Sequence, residues 1–229
     1  MTRAPVTLAI ETSTPFGSLA IGSGADILAE VALGIGNRHA EALVPAVDFM
    51  LRTLGLQMEH VDRIVVGAGP GSFTGLRVAA AAAKGFVHAL GVPLYAYSGL
   101  LTLAAATGLE GPPVCALFDA RRDEVYAACY TIDGGELRVL LEPGARRIDD
   151  VLQSVDTDRV LFAGDGARRH AGLIRDAGGT IAAAIRGVPR AGALVWLVDS
   201  MPDEGAITDP AAWEPAYMRE SGAERGVKG

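Results

Sequence analysis

Arg63-Ile-Val-Val-Gly67-Ala-Gly69-Pro70-Gly71-Ser72-Phe73-Thr74-Gly75-Leu76-Arg77 is the stretch from which the fold can be read. The apolar run Arg63–Gly67 predicts a short buried strand, residues 68–73 a glycine-rich loop, and residues 74–90 a helix. Such a loop can cradle a phosphate, because free backbone N–H groups and a helix dipole both favour an anion. The specific nucleotide motifs fail, however. No Gly-Lys-Ser/Thr follows at the Walker spacing, and Ser72 or Thr74 falls where a dinucleotide fingerprint needs its third glycine. The favoured role is therefore a tight turn, with Thr74 capping the helix and the glycines letting backbones pack closely.

Working outward, Val6–Glu11, 18–21 and 27–33 read as three short strands, followed by a helix over His39–Leu54. That helix carries Leu43, Val47, Met50, Leu51 and Leu54 at helical spacing, and Pro45 is expected to mark its start or bend it. A strand at 93–97, a helix at 98–107 and a linker-like break at 108–113 complete the first half. The second half repeats the order. Strands at 114–118, 124–131 and 136–141 precede a helix at 148–155, a strand at 160–163, a helix at 167–177, a strand near 181–185 and a helix at 191–201. Asp133-Gly134-Gly135 is the expected turn between the second and third of these strands. Two halves of βββαβαβα order predict a duplicated α/β unit. The expected division is residues 1–108, with 190–219 packing back on them, then 109–189, then a disordered tail over 220–229.

The chain has 229 residues, half of them hydrophobic and 21% charged, which is ordinary globular composition and excludes disorder for most of it. A net charge of −7 argues against unaided binding of nucleic acid, which depends on clustered Lys and Arg. Cys115 and Cys129 lie in apolar stretches and are expected to be buried, reduced thiols. The apolar stretch 6–10 is too short for a leader and 78–83 too short for a membrane span, so a soluble cytoplasmic protein is expected.

The helix after the glycine loop is apolar nearly all round, as Leu76, Val78, Ala79 to Ala83, Phe86, Val87, Ala89 and Leu90 show. A helix of that kind must be buried on every side. Together with His39–Leu54 it carries more apolar surface than one small sheet can cover. That points to a protein–protein interface, the alternative being an Ala-rich core helix. The catalytic inventory is thin. His39, His60, His88 and His170 show no zinc-ligand spacing. Glu11, Asp119, Asp123, Glu124 and Asp165 stand at strand ends or turns, where carboxylates are usually just solvated. Ser13, Ser18 and Ser98 lack a His-plus-acid context, and the doublets Arg121-Arg122 and Arg168-Arg169 read as solvated turns. The residues do not make a complete enzyme.

Leu8-Ala-Ile-Glu-Thr-Ser-Thr14, Arg38-His-Ala-Glu-Ala-Leu-Val-Pro45, Gly69-Pro-Gly-Ser-Phe-Thr-Gly-Leu-Arg77 and Asp119-Ala-Arg-Arg-Asp-Glu-Val-Tyr126 together resemble the TsaB family, also called YeaZ. Gly164-Asp-Gly166 and Pro215-Ala-Tyr-Met-Arg219 extend the match over nearly the whole chain, and the loop Gly69, Pro70, Gly71, Ser72, Phe73, Thr74, Gly75 with Arg77 is its most specific part. The resemblance implies a duplicated actin-like ATPase (sugar-kinase-like) fold of two βββαβα-type subdomains. It implies a role in placing a threonylcarbamoyl group on the adenosine beside the anticodon in tRNAs that read ANN codons. It further implies a non-catalytic scaffold that pairs with a larger metal-binding homologue, TsaD, is joined by a small ATPase, TsaE, forms a homodimer when alone, and meets tRNA only indirectly.

The catalytic homologue carries a His-x-x-x-His metal motif where this chain has Ser98-Gly-Leu-Leu-Thr-Leu103, so neither metal-assisted transfer nor the peptidase activity once attached to this glycoprotease-like superfamily is expected. Glu11 stands where the family usually has Asp, at the strand end that organises Mg²⁺ and phosphate in actin-like ATPases. With Thr12 and Ser13 it is the weak candidate for a nucleotide site, and any ATP or ADP is expected at the interface with a partner rather than in the isolated chain. Docking is expected through Leu43, Val47, Met50, Leu51, Leu76, Ala79, Ala80, Ala83 and Val87. The alternative is a stand-alone small ATPase or kinase using Glu11, Thr12, Ser13, Asp119 and Asp165.

Overall fold

Strand β1 (Val6–Glu11) is buried along its whole length because it lies at the centre of a sheet covered on both faces. The computed structural model describes residues 3–34, 38–109, 111–121, 123–133 and 136–216. In the first sheet β1 runs antiparallel to β2 (Gly17–Ser23), which runs antiparallel to β3 (Asp26–Leu33). On its other side β1 is parallel to β4 (Arg63–Gly67), and β4 to β5 (Leu94–Tyr97), giving the order β3-β2-β1-β4-β5. Helices α1 (His39–Leu54), α2 (Phe73–Leu90) and α3 (Gly99–Thr107) follow β3, β4 and β5.

The second sheet repeats the first, strand for strand. β6 (Val114–Asp119) pairs antiparallel with β7 (Glu124–Asp133), β7 antiparallel with β8 (Glu136–Arg147), β6 parallel with β9 (Leu161–Ala163), and β9 parallel with β10 (Thr180–Ile181). The order β10-β9-β6-β7-β8 is therefore the same chain path drawn twice. Helices α4 (Ile148–Ser154), α5 (Asp165–Arg169), α6 (Ala171–Asp176), α7 (Ala191–Ser200) and the short α8 (Pro202–Gly205) complete it. This is the duplicated α/β unit that the element order predicts, in the actin-like arrangement that the resemblance implies.

Period-two alternation sorts the strands' side chains into three apolar layers. Leu8 and Ile10 face α1 and α2, while Ala9 between them faces the layer shared by the two sheets. Cys115 and Leu117 face α4 to α6, and Val114, Ala116 and Phe118 face the shared layer. That layer holds α3 and α7, and five of the strand residues beneath it are alanines: Ala9, Ala20, Ala116, Ala128 and Ala163. Small side chains let both helices approach the sheets closely. Polar contacts then fix α7 on the first sheet. Arg63 Nη2 pairs with Asp199 at 3.0 Å, the Ala191 N–H donates to Ser18 Oγ at 2.7 Å, and Arg190 Nη2 pairs with Glu30 at 2.8 Å. The Tyr97 hydroxyl donates to the Met201 carbonyl at 2.7 Å.

Several local expectations need correction. Helix α2 starts at Phe73, and Ser72 rather than Thr74 caps it, its side chain accepting the Gly75 N–H at 3.3 Å. Pro45 lies inside α1 and does not mark its start. β8 runs on to Arg147 through Pro143 and Gly144, which an edge strand tolerates because one side needs no ladder hydrogen bonds. The expected helix at 167–177 is two helices meeting at His170, and the strand near 181–185 ends at Ile181, before a 3-10 turn over Ala184–Arg186. The Gly134-Gly135 turn, Arg122, the motif residues 217–219 and the tail 220–229 lie outside the described residues.

Candidate docking face

The signature loop is held by backbone contacts on every side. Its Ala68 N–H donates to Tyr97 O at 2.7 Å, the Gly99 N–H donates to Gly69 O at 2.7 Å, and the Ala216 N–H donates to Ala68 O at 2.9 Å. The Ser72 N–H, which a phosphate would need, donates to Ser13 O at 2.6 Å. A Cβ at Gly71 would collide with the Ser13 carbonyl and one at Gly75 with the Thr12 carbonyl, so glycine is required for close approach. The Gly69–Pro70 peptide bond is cis. The loop thus clamps the β1–β2 turn to the start of α2.

The nucleotide candidates sit beneath this clamp. Thr12 Oγ1 donates to Gly75 O at 2.7 Å. Glu11 is fully buried, its Oε1 accepts the Ser13 N–H at 2.7 Å, and among the described residues its Oε2 and Ser13 Oγ have no hydrogen-bond partner. Burial raises the Glu11 pKa above the usual carboxylate value, and the adjoining Ser13 only partly opposes it. Asp119 ends β6 as Glu11 ends β1, and its Oδ2 is taken by Arg169 at 2.8 Å. Asp165 Oδ1 accepts the N–H groups of Asp119 and Gly166. A Mg²⁺ ion needs ionised, reachable oxygens, and a sealed carboxyl that resists ionisation does not fit one. Among the described residues no group of three or more His, Cys, Asp or Glu could hold a metal.

Many of the remaining chemistry-bearing side chains have structural partners. Ser18 accepts from α7, and Ser98 caps α3 through the Leu100 N–H at 3.2 Å. His39 Nε2 lies 3.0 Å from Thr14 O, and His60 Nδ1 accepts the Gln57 N–H at 2.8 Å. Arg168 reaches Gly187 O at 3.1 Å, so the second arginine doublet is tied into the fold rather than free in solvent. Cys115 and Cys129 are free, buried and directly opposite each other across β6 and β7. The neighbouring Cys129 thiol and burial hold Cys115 well above the usual thiol range.

The expected docking residues need a correction of phase. Leu43, Val47, Met50 and Leu51 on α1, and Leu76, Ala79, Ala80 and Ala83 on α2, are buried within the chain; Val87 is partly buried against the same core. They are the inward stripes. The outward faces carry a largely different set, and between them runs a groove of about 480 Å³ lined by Ala40, Val44 and, of the expected residues, Leu43 on α1, and by Phe73, Thr74, Arg77, Val78, Ala81 and Ala82 on α2. Val44 is 59% exposed and Phe49 on the same helix 63%. The signal that could have found them is that Val44 and Phe49 fall off the apolar stripe of α1, where a solvated helix would place polar side chains.

Among the described residues no helix is long and apolar enough to cross a membrane. Comparison with known proteins gives a consistent picture. The sequence profile described as "TsaD: tRNA N6-adenosine threonylcarbamoyltransferase" matches residues 29–173. A solved structure of YeaZ from Pseudomonas aeruginosa superposes with a TM-score of 0.79 at 30% identity, covering 93% of this chain and 99% of that one. The ethanolamine utilization protein EutJ from Carboxydothermus hydrogenoformans, at 13% identity and a TM-score of 0.52 over 84% of this chain and 89% of its own, shares the fold alone. The tRNA threonylcarbamoyladenosine biosynthesis protein TsaB of Bacillus subtilis is 32% identical over 95% of both chains. With that identity over nearly its full length, the chain belongs to the TsaB (YeaZ) family of tRNA threonylcarbamoyladenosine biosynthesis proteins.

Proposed function

We propose that this chain is a non-catalytic subunit of the threonylcarbamoyl-transfer machinery, which docks a TsaD-type transferase through the outward faces of α1 and α2. The observation that carries the reading is the largely apolar groove between those helices, with Val44 on its wall left 59% exposed. Isolated apolar residues on a surface need no explanation, but a contiguous groove lined mostly by apolar side chains marks an interaction site. The segment corresponding to the transferase's metal motif supports a non-enzymatic role. It forms the start of α3, where Leu100, Leu101, Thr102 and Leu103 are buried and supply no metal ligand.

The sealed position of Glu11 supports a chain that binds no nucleotide alone, any ATP or ADP belonging to the interface with a partner. In the same proposal a TsaE-type ATPase joins the pair, the chain self-associates when the transferase is absent, tRNA is met only through the assembly, and the setting is the cytoplasm. The test is sedimentation velocity of the purified chain mixed with the TsaD-type transferase of its own genome, using wild type and Ala81→Glu. A complex is expected with wild type and none with Ala81→Glu, whose exposed site leaves the monomer folded. A complex formed equally well by the variant would overturn the placement.

A further inference from the structure

Residues spaced four apart share a helix face, and on α2 that spacing joins Phe73, Arg77 and Ala81, all of which line the groove. The Arg77 guanidinium lies 3.8 Å from the centroid of the Phe73 ring. Stacking holds the planar cation in place while leaving its N–H edge free to donate. Among the described residues Arg77 has no carboxylate within 4 Å, whereas the arginines of α1 are already matched. On α1, Arg52 pairs with Asp48 at 2.9 Å and Arg38 with Glu41 at 3.2 Å. Lys84, two turns along α2 from Arg77, donates to the Ala211 carbonyl at 2.9 Å. The face is therefore largely apolar: the arginines of α1 are paired, Lys84 rests on a backbone carbonyl, and Arg77 is the cation that lines the groove.

We infer that Arg77 is the residue that selects the partner at this face, by receiving an aspartate or glutamate from the partner's contacting helix. The inference rests on the docking reading above and goes beyond it by naming the chemistry the partner must bring. Covering an arginine with no acid beside it costs the desolvation of its charge, while a fitted carboxylate recovers that cost through a bidentate pair. A second copy of this chain is a poor source. An isologous contact presents the same face, whose carboxylates Asp48 and Glu41 are already committed to Arg52 and Arg38. Borrowing either leaves another arginine unmatched. A different protein with a spare acid on an otherwise apolar helix face satisfies the site, so the arginine weakens self-association and favours the heteromeric pair.

The test measures affinity by titration calorimetry for the TsaD-type transferase of the same genome, and self-association by sedimentation equilibrium. Arg77→Met, Arg77→Lys and Ala81→Glu are compared with wild type, each checked for an unchanged melting profile. Arg77→Met is expected to weaken the heteromeric pair by roughly thirtyfold or more. It should also make that affinity nearly insensitive to salt between about 0.1 and about 0.5 M, and tighten self-association. Arg77→Lys should keep the salt dependence, a readout that loss of packing alone would not restore. If Arg77→Met binds the transferase as wild type does while Ala81→Glu does not, the selection role is overturned and the docking reading stands. If Ala81→Glu also binds normally, the interface lies elsewhere and both fall.

Discussion

The backbone N–H of Ser72 donates to the carbonyl oxygen of Ser13 at 2.6 Å, joining the glycine loop to the β1–β2 turn. A phosphate held by the Ser72 N–H would need these two segments to part. Here they close on each other, with Glu11 sealed beneath them and Gly71 and Gly75 making the approach possible. The same contact sets the start of α2, and with it the position of the proposed docking face.

Gly75 and Gly85 occupy the same helix and should respond oppositely to alanine. By helix propensity alone each change gains about 1 kcal/mol. A Cβ at Gly85 meets nothing within 4 Å, so Gly85→Ala should stabilise by about that amount. At Gly75 the Cβ would strike the Thr12 carbonyl, and the backbone shift it forces costs about 1–3 kcal/mol, so Gly75→Ala should lower stability. Urea denaturation of both variants checks the pair of signs.

Glu11 should make stability fall as pH rises. The unfolded side chain titrates near 4.5 and the folded one above that, because burial penalises the charge. Between those two values the folded chain keeps a proton that the unfolded chain releases. Stability from this group is full below pH 4.5, declines as pH rises through the folded value, and is level beyond it. Glu11→Gln removes the decline, so the variant should gain on wild type as pH rises above about 4.5, at up to about 1.4 kcal/mol per unit, and level off once the raised folded value is passed. Parallel denaturation curves across that range show it, and a constant difference would contradict a sealed, proton-holding Glu11.

Cys115 and Cys129 should resist alkylation in the native chain and both react once it is unfolded. They are buried in the layer beneath α4 to α6, and the Cys115 thiol is held protonated. Mass spectrometry after iodoacetamide treatment, with and without guanidinium, counts them.

The duplicated architecture was legible because two independent features agree: apolar runs of strand length and a repeated order of elements. The glycine loop was legible as a close-packing turn because no phosphate motif accompanies it. The phase of α1 and α2 was not. Spacing shows that Leu43, Val47, Met50 and Leu51 share a face but not that the sheet lies under it, and α2 is apolar all round, which erases the contrast that would fix its rotation. Nor could the sequence show Arg77 lying on Phe73, since the two are ordinary i and i+4 neighbours until the groove defines their surroundings. The break at His170 was equally hidden, because 167–177 has helical spacing throughout.

The central claim is that α1 and α2 form the surface that meets the transferase. Backbone hydrogen exchange of the chain, alone and saturated with the TsaD-type transferase, tests it most directly. The account predicts slowed exchange concentrated in α1 (His39–Leu54) and α2 (Phe73–Leu90), with α4 to α6 unchanged. Protection confined to α4 to α6, with α1 and α2 exchanging as in the free chain, would contradict it.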